Sequence, residues 1–234
     1  MIFAFAGQKG GVGKTTTAIG VAVELLRRGK SVLLADGDPQ QSARVWGQVA
    51  TENSHPAPSI AVMGANLYQP SQLPKMASAY DFAIVDCPPS HGEIQRAALM
   101  CADVAVLPCG QSALDAWALA STLALVTEAK ALRPELQVVI LLAKVQRSTV
   151  LGQGAREVLA PSGLPLLKTE LTSRVSYMEA IAAGLGPTTY APSDPAAQEM
   201  RALVDELLAL GAPPSGRSRA PAKKTSKKGA SARV

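Results

Sequence analysis

The chain has 234 residues, 47% of them apolar but only 4% aromatic, and a formal net charge of +5. That length suits one substantial α/β domain, with a core built from Ala, Val, Leu and Ile as in helix-covered parallel sheets. No apolar run approaches the roughly 18 residues of a membrane span and no cleavage-like site follows the first one, so the chain reads as cytosolic.

The first apolar run, residues 2–6 (IFAFA), predicts a buried strand, and the Gly-rich GQKGGVGKTT (7–16) follows it. Residues 15–28 carry apolar side chains at helical spacing and stop at Gly29, a C-cap. Further strands are expected at 31–36 (SVLLAD), 60–64 (IAVMG, weaker), 81–86 (DFAIVD), 103–108 (DVAVLP), 138–144 (VVILLAK) and, short, at PLL near 165. Helices are expected at 113–132, 152–160, 175–183 and 195–210, the last with Glu199, Arg201, Asp205 and Glu206 as its solvated face. Continuous apolar strands alternating with helices predict a doubly wound, mostly parallel sheet with helices on both faces. That domain occupies residues 1–210. Residues 211–234, rich in Pro, Ala, Ser and Lys with no apolar period, read as a disordered tail. Residues 216–234 hold seven of the 23 basic residues and no acid, which leaves the remainder at 16 basic against 18 acidic groups.

Other chemistries find little support. Cys87, Cys101 and Cys109 form no C-x-x-C pair, so neither a disulfide framework nor a cysteine-rich metal site is indicated. His55 and His91 are isolated, and Ser90 beside His91 has no evident acid partner for a nucleophilic triad.

The Gly-rich stretch carries a phosphate-binding chemistry. Such a loop turns backbone N–H groups inward and ends on a helix N-terminus, so Gly10, Gly11, Val12 and Gly13 with Thr15 and Thr16 cradle a polyphosphate. Lys14 reaches the β- and γ-phosphates and the Thr15 hydroxyl coordinates Mg²⁺. The usual G-x-x-x-x-G-K-[ST] pattern is met except for Gln8 in place of its first glycine. A second lysine, Lys9, stands five residues before Lys14.

The K-G-G-x-G-K-T segment, Lys9 to Thr15, resembles the deviant phosphate loop (deviant Walker A) of the ParA/MinD family of P-loop ATPases. The resemblance implies that Lys9 reaches across a dimer interface to the partner's nucleotide, stabilising charge that develops during phosphoryl transfer. LLADGDPQQS is similar to the family's D-x-D-P-Q segment, which implies that Asp38 positions the attacking water and that Asp36 is a Mg²⁺-shell or structural partner. In FAIVDCPP the strand ends at Asp86, and the resemblance implies that Asp86 is a Walker-B type aspartate that would hold Mg²⁺ and that the following Cys-Pro-Pro-Ser would be the γ-phosphate-sensing switch, although the family more often has a small residue at Cys87. The resemblance spans residues 1–210, and the length is similar to small partition proteins of the ParF type. ATP is the implied nucleotide, since Ala143, Lys144, Val145 and Gln146 lack the Asp of a guanine-reading segment. Pro192 and Asp194 are implied to lie by the base.

ParA-like proteins form ATP-bound homodimers that bind double-stranded DNA without sequence preference and release it when an adaptor, ParB-like or cargo-specific, stimulates hydrolysis. The resemblance therefore implies a nucleoid-associated ATPase that segregates or positions a cargo: a plasmid, a chromosome, a carboxysome or a chemoreceptor cluster. Candidate DNA contacts are Arg147, Arg156, Lys168, Arg174 and Arg201 on the folded part and Lys223, Lys224, Lys227 and Lys228 in the tail. The alternative is a MinD-like membrane-associated ATPase, but the tail lacks the bulky apolar residues of an amphipathic anchor, so no membrane partner is expected. An iron–sulfur carrier would need paired cysteines, and a dethiobiotin-synthetase-like ligase would not need Lys9.

Overall fold

The structure is a computed structural model that describes residues 1–89 and 92–211. In chain order the elements are β1 (Ile2–Phe5), α1 (Lys14–Arg27), β2 (Val32–Asp36), α2 (Ser42–Glu52), β3 (Ser59–Val62), α3 (Leu73–Ala77), β4 (Phe82–Asp86) and α4 (Gly92–Cys101). There follow β5 (Val104–Cys109), α5 (Ala113–Leu132), β6 (Gln137–Val145), α6 (Val150–Leu159), β7 (Leu166–Thr172), α7 (Val175–Ala182), α8 (Pro187–Tyr190) and α9 (Pro195–Leu210). The strands form one seven-stranded sheet in the order β3-β2-β4-β1-β5-β6-β7, and every pairing is parallel.

The apolar runs sit at the centre because both faces of the sheet are covered. Along β1, Phe3 and Phe5 face the layer of α1, α2, α7 and α9, while Ala4 and Ala6 face the layer of α3, α4, α5 and α6. Every residue of β2 and of β5 is buried, which is why these strands read as unbroken apolar runs rather than alternating ones. Helix α1 closes in a Schellman motif, with Gly29 N–H on the Leu26 carbonyl and Lys30 N–H on that of Leu25.

Strand β7 runs on to Thr172, past the short PLL segment. Its polar stretch, Lys168 to Thr172, forms an edge strand that pairs with β6 alone. Acid side chains of α9 satisfy the backbone that the sheet leaves open: Glu206 accepts from the N–H groups of Lys168 and Thr169, and Glu199 from that of Thr172. The face of α9 expected to be solvated is therefore partly committed to the fold, Asp205 included, since it pairs with Arg28 at the C-cap of α1.

The strand order reverses around β1. Its loop, those after β2 and β4, and the start of α5 all gather at the C-terminal end of the sheet, where open α/β sheets bind ligands.

Candidate functional site

Leaving β1, the chain turns through Gly7–Gly13 into α1. Gly13 has φ +94° and caps α1 without a side-chain hydrogen bond, a conformation that costs an L side chain strain. The first N–H groups of α1 are thus left for a ligand, at the positive end of the helix dipole. Lys14 is only 5% exposed, and its ammonium curls back to donate to the Lys9 carbonyl at 2.8 Å. Burial lowers its pKa, opposed chiefly by the attraction of Asp86. A buried cation within a glycine-rich turn at a helix N-terminus is an arrangement that can receive a phosphate, although the N–H groups of Gly7 and Gln8 are already taken by the Gln95 and Thr122 side chains. Gly10 and Gly11 form the exposed tip, Val12 is buried, and Thr15 and Thr16 are half-buried on the first turn of α1.

Three aspartates approach this loop with different surroundings. Asp36, fully buried, accepts the N–H of Asp38 at 3.1 Å and of Arg44 at 2.9 Å, which fixes the turn into α2. Asp38, half-buried, accepts the N–H of Gln40. Asp86 is 0% exposed, and among the described residues neither of its carboxylate oxygens has a hydrogen-bond partner. Burial pushes its pKa up to about 7, with Thr15 and Lys14 pulling the other way. An orphaned buried carboxylate beside a threonine hydroxyl and a phosphate loop fits a hard cation such as Mg²⁺, whose charge would replace the missing partners. Gly37 packs against this strand end: its N–H donates to the Asp86 carbonyl, and a Cβ there would come within 3.0 Å of that oxygen. The loop bearing Asp38 is thereby tied to the one leaving Asp86.

Lys9 does not point where Lys14 points. Its ammonium is ion-paired with Asp115 on the first turn of α5, with 39% of the lysine side chain exposed. Asp115 also forms a capping box with Ser112. The S-x-x-D cap is legible at the start of the 113–132 helix, but its bond to Lys9 spans 106 residues of chain and carries no local signal.

A cavity of about 210 Å³ borders the loop at Val12, Gly13, Thr16 and Thr17 and is otherwise lined by Ala143 and Lys144 of β6, the end of β7, and Arg174, Tyr177 and Met178. Another loop-side cavity, beside Lys9 and Cys109, has only about 10 Å³, too little for more than a water. Glu199 of α9 organises the larger one: it accepts from Thr172 N–H and hydroxyl, from Tyr177 hydroxyl at 2.8 Å, and from Arg174 at 3.3 Å. Read from sequence as a solvated residue, Glu199 has a side chain only 12% exposed. Pro192 and Asp194 do not line this cavity. The Asp194 carboxylate caps α9 and accepts from Ser176, and the Pro192 carbonyl accepts from Arg201.

Residues 3–188 match the family described as the CobQ/CobB/MinD/ParA nucleotide binding domain. The chain belongs to this family. Among its relatives, the maintenance of carboxysome distribution protein A of Halothiobacillus neapolitanus is 28% identical over 208 residues, covering 88% of this chain and 95% of that protein. The chromosome-partitioning ATPase Soj of Thermus thermophilus is 32% identical over 235 residues, covering 88% and 94%. A solved ATP complex of McdA from Cyanothece superposes with a TM-score of 0.71 at 18% identity over 89% of this chain and 96% of that one, a likeness of fold.

On this ParA/MinD-type domain, the candidate DNA-contacting cations are mostly engaged at home. Arg147 and Arg156 share Glu170, and Arg156 also donates to the Leu167 and Lys168 carbonyls. Arg174 pairs with Glu199 and Arg201 donates to Pro192. Arg147, with 62% of its side chain exposed, and the exposed Lys168 remain the most accessible. Lys223, Lys224, Lys227 and Lys228 lie outside the described residues, as does Ser90 of the switch segment. No helix among the described residues is long and apolar enough to cross a membrane.

Proposed function

We propose that this protein is a ParA-like ATPase that dimerises on ATP, binds nucleoid DNA without sequence preference, and positions or segregates a cargo through an adaptor that stimulates hydrolysis. The reaction is attack of water on the γ-phosphate of ATP to give ADP and phosphate. The loop amides and Lys14 hold the phosphates, Asp38 orients the attacking water, and Lys9 from the partner subunit stabilises the charge spreading over the transferred group. Asp86 and Thr15 would hold Mg²⁺, which supplies neutralising charge on the phosphate oxygens when bound. The base would occupy the cavity organised by Glu199.

The observation that carries the proposal is the division of labour between the two lysines. Lys14 already fills the interior of the loop, whereas Lys9 faces outward on an ion pair that competing phosphates can replace. Leu114 and Trp117, 64% and 71% exposed, flank Asp115, so apolar surface of the kind a second protein covers adjoins the spare cation. The relatives named for chromosome partitioning and carboxysome distribution support the positioning role.

Co-sedimentation with plasmid DNA tests it. With Mg²⁺, the wild-type protein should pellet with DNA in ATP and remain soluble in ADP, and anionic vesicles should not substitute. Equal DNA binding in both nucleotides, or ATP-dependent capture by vesicles alone, contradicts the proposal.

A further inference from the structure

Gln95 is the fourth residue of α4 and is 0% exposed. An amide at such a position costs desolvation unless its polar atoms are paired, and α4 buries mainly apolar residues, Ala97, Ala98 and Leu99, around it. Both ends of the Gln95 amide are used: Oε1 accepts the N–H of Gly7 at 3.2 Å, and Nε2 donates to the Pro88 carbonyl at 2.9 Å. The chemistry fixes the orientation, since a flipped amide would set donor against donor and oxygen against oxygen.

The two partners belong to different parts of the site. Gly7 opens the phosphate loop, and Pro88 lies two residues past Asp86. The backbone bond from Cys87 N–H to the Phe5 carbonyl is the last rung joining β4 to β1. Beyond it the chains diverge, and the Gln95 side chain spans the gap.

We propose that Gln95 is a positioning residue that couples the phosphate loop to the loop leaving Asp86, so that contact with the γ-phosphate on one side sets the backbone on the other. This rests on the ATPase reading above. Losing the bridge leaves the phosphate anchors intact, because Lys14 and the α1 amides do not touch Gln95. It removes the coordinated placement that hydrolysis needs, where small misplacements are costly.

The test uses the full chain with two variants: Gln95→Met, of similar length with no hydrogen bonds, and Gln95→Glu, isosteric and still able to accept from Gly7 but placing an oxygen against the Pro88 carbonyl. Steady-state ATP hydrolysis and Mg-ADP titration are measured beside thermal melts that establish folding. Coupling predicts a kcat at least tenfold lower in each folded variant, with KM and the ADP Kd within threefold of wild type. Unchanged kcat, or kcat and ADP affinity falling by the same factor, overturns it. Hydrogen exchange on the wild-type chain gives a variant-free reading: peptides covering Gly7 and residues 92–101 should change protection together between ADP and a non-hydrolysable ATP analogue, and a change in one alone overturns the coupling. A wild-type chain that fails to bind Mg-ATP at all overturns the ATPase reading, and this proposal with it.

Discussion

Asp86 keeps both carboxylate oxygens unpaired at full burial, and its pKa is pushed up to about 7. A raised carboxyl pKa means that the folded chain holds a proton the unfolded chain has released. The group therefore costs nothing below about pH 4, and costs progressively more up to about pH 7. Over that window the cost accumulates to at most about 4 kcal/mol. Asp86→Asn should accordingly raise the melting temperature of the nucleotide-free protein at pH 8, leave it nearly unchanged at pH 4, and abolish the extra stabilisation that Mg²⁺ adds to bound ATP. Melts at the two pH values, with and without Mg-ATP, check all three. Lys14→Ala, by contrast, should remove nucleotide binding altogether, because on the proposed reading the buried cation would meet the phosphates and has no substitute; a titration that matched wild type would contradict that role. These residues were legible in the sequence because each lies within a contiguous motif at a strand end. Gln95 and Asp115 were not, because their partners stand 88 and 106 residues away and neither stretch signals the contact.

At the level of elements, the strands legible as continuous apolar runs are those buried on both faces, β1, β2, β4, β5 and β6. Strand β7 was only half visible, since its second part is polar and is held by carboxylates of α9 that no period reveals. Helices α2 and α4 are not assigned bounds from the sequence, although α2 buries Ala43, Trp46, Gly47 and Ala50 on one face. Glu199 links β7, α7 and α9 through its hydrogen bonds to Thr172 and Tyr177. Glu199→Ala would leave the Thr172 N–H and hydroxyl without their acceptor and the Tyr177 hydroxyl with only the longer bond to the Ala196 carbonyl, and would loosen the wall of the 210 Å³ cavity. ATP affinity should fall about tenfold or more, in line with the roughly 1–3 kcal/mol of unpaired buried polar groups. Binding of Mg-tripolyphosphate, which has no base, should stay within threefold. Parallel loss of both ligands would assign Glu199 to general stability instead of to the nucleoside side of the site.

For the whole molecule, the uneven charge makes a separable prediction. The seven cations of residues 216–234 belong to a chain that is otherwise slightly acidic, and each phosphate neutralised adds roughly 0.9 to the magnitude of the log affinity versus log salt slope. Deleting 216–234 should reduce that slope by a few units while ATP binding is kept, and a salt series on DNA measures it; an unchanged slope would leave the tail without a part in DNA binding. The central claim is that Lys9 leaves Asp115 to complete a second subunit's site. Light scattering coupled to size exclusion tests it most directly, on wild type, Asp38→Ala and the double variant Asp38→Ala with Lys9→Ala, each in Mg-ATP. Wild type and Asp38→Ala should approach twice the monomer mass, the latter persistently since hydrolysis is blocked, whereas the double variant should stay monomeric while still binding ATP. A double variant that dimerises as fully as Asp38→Ala would contradict the account.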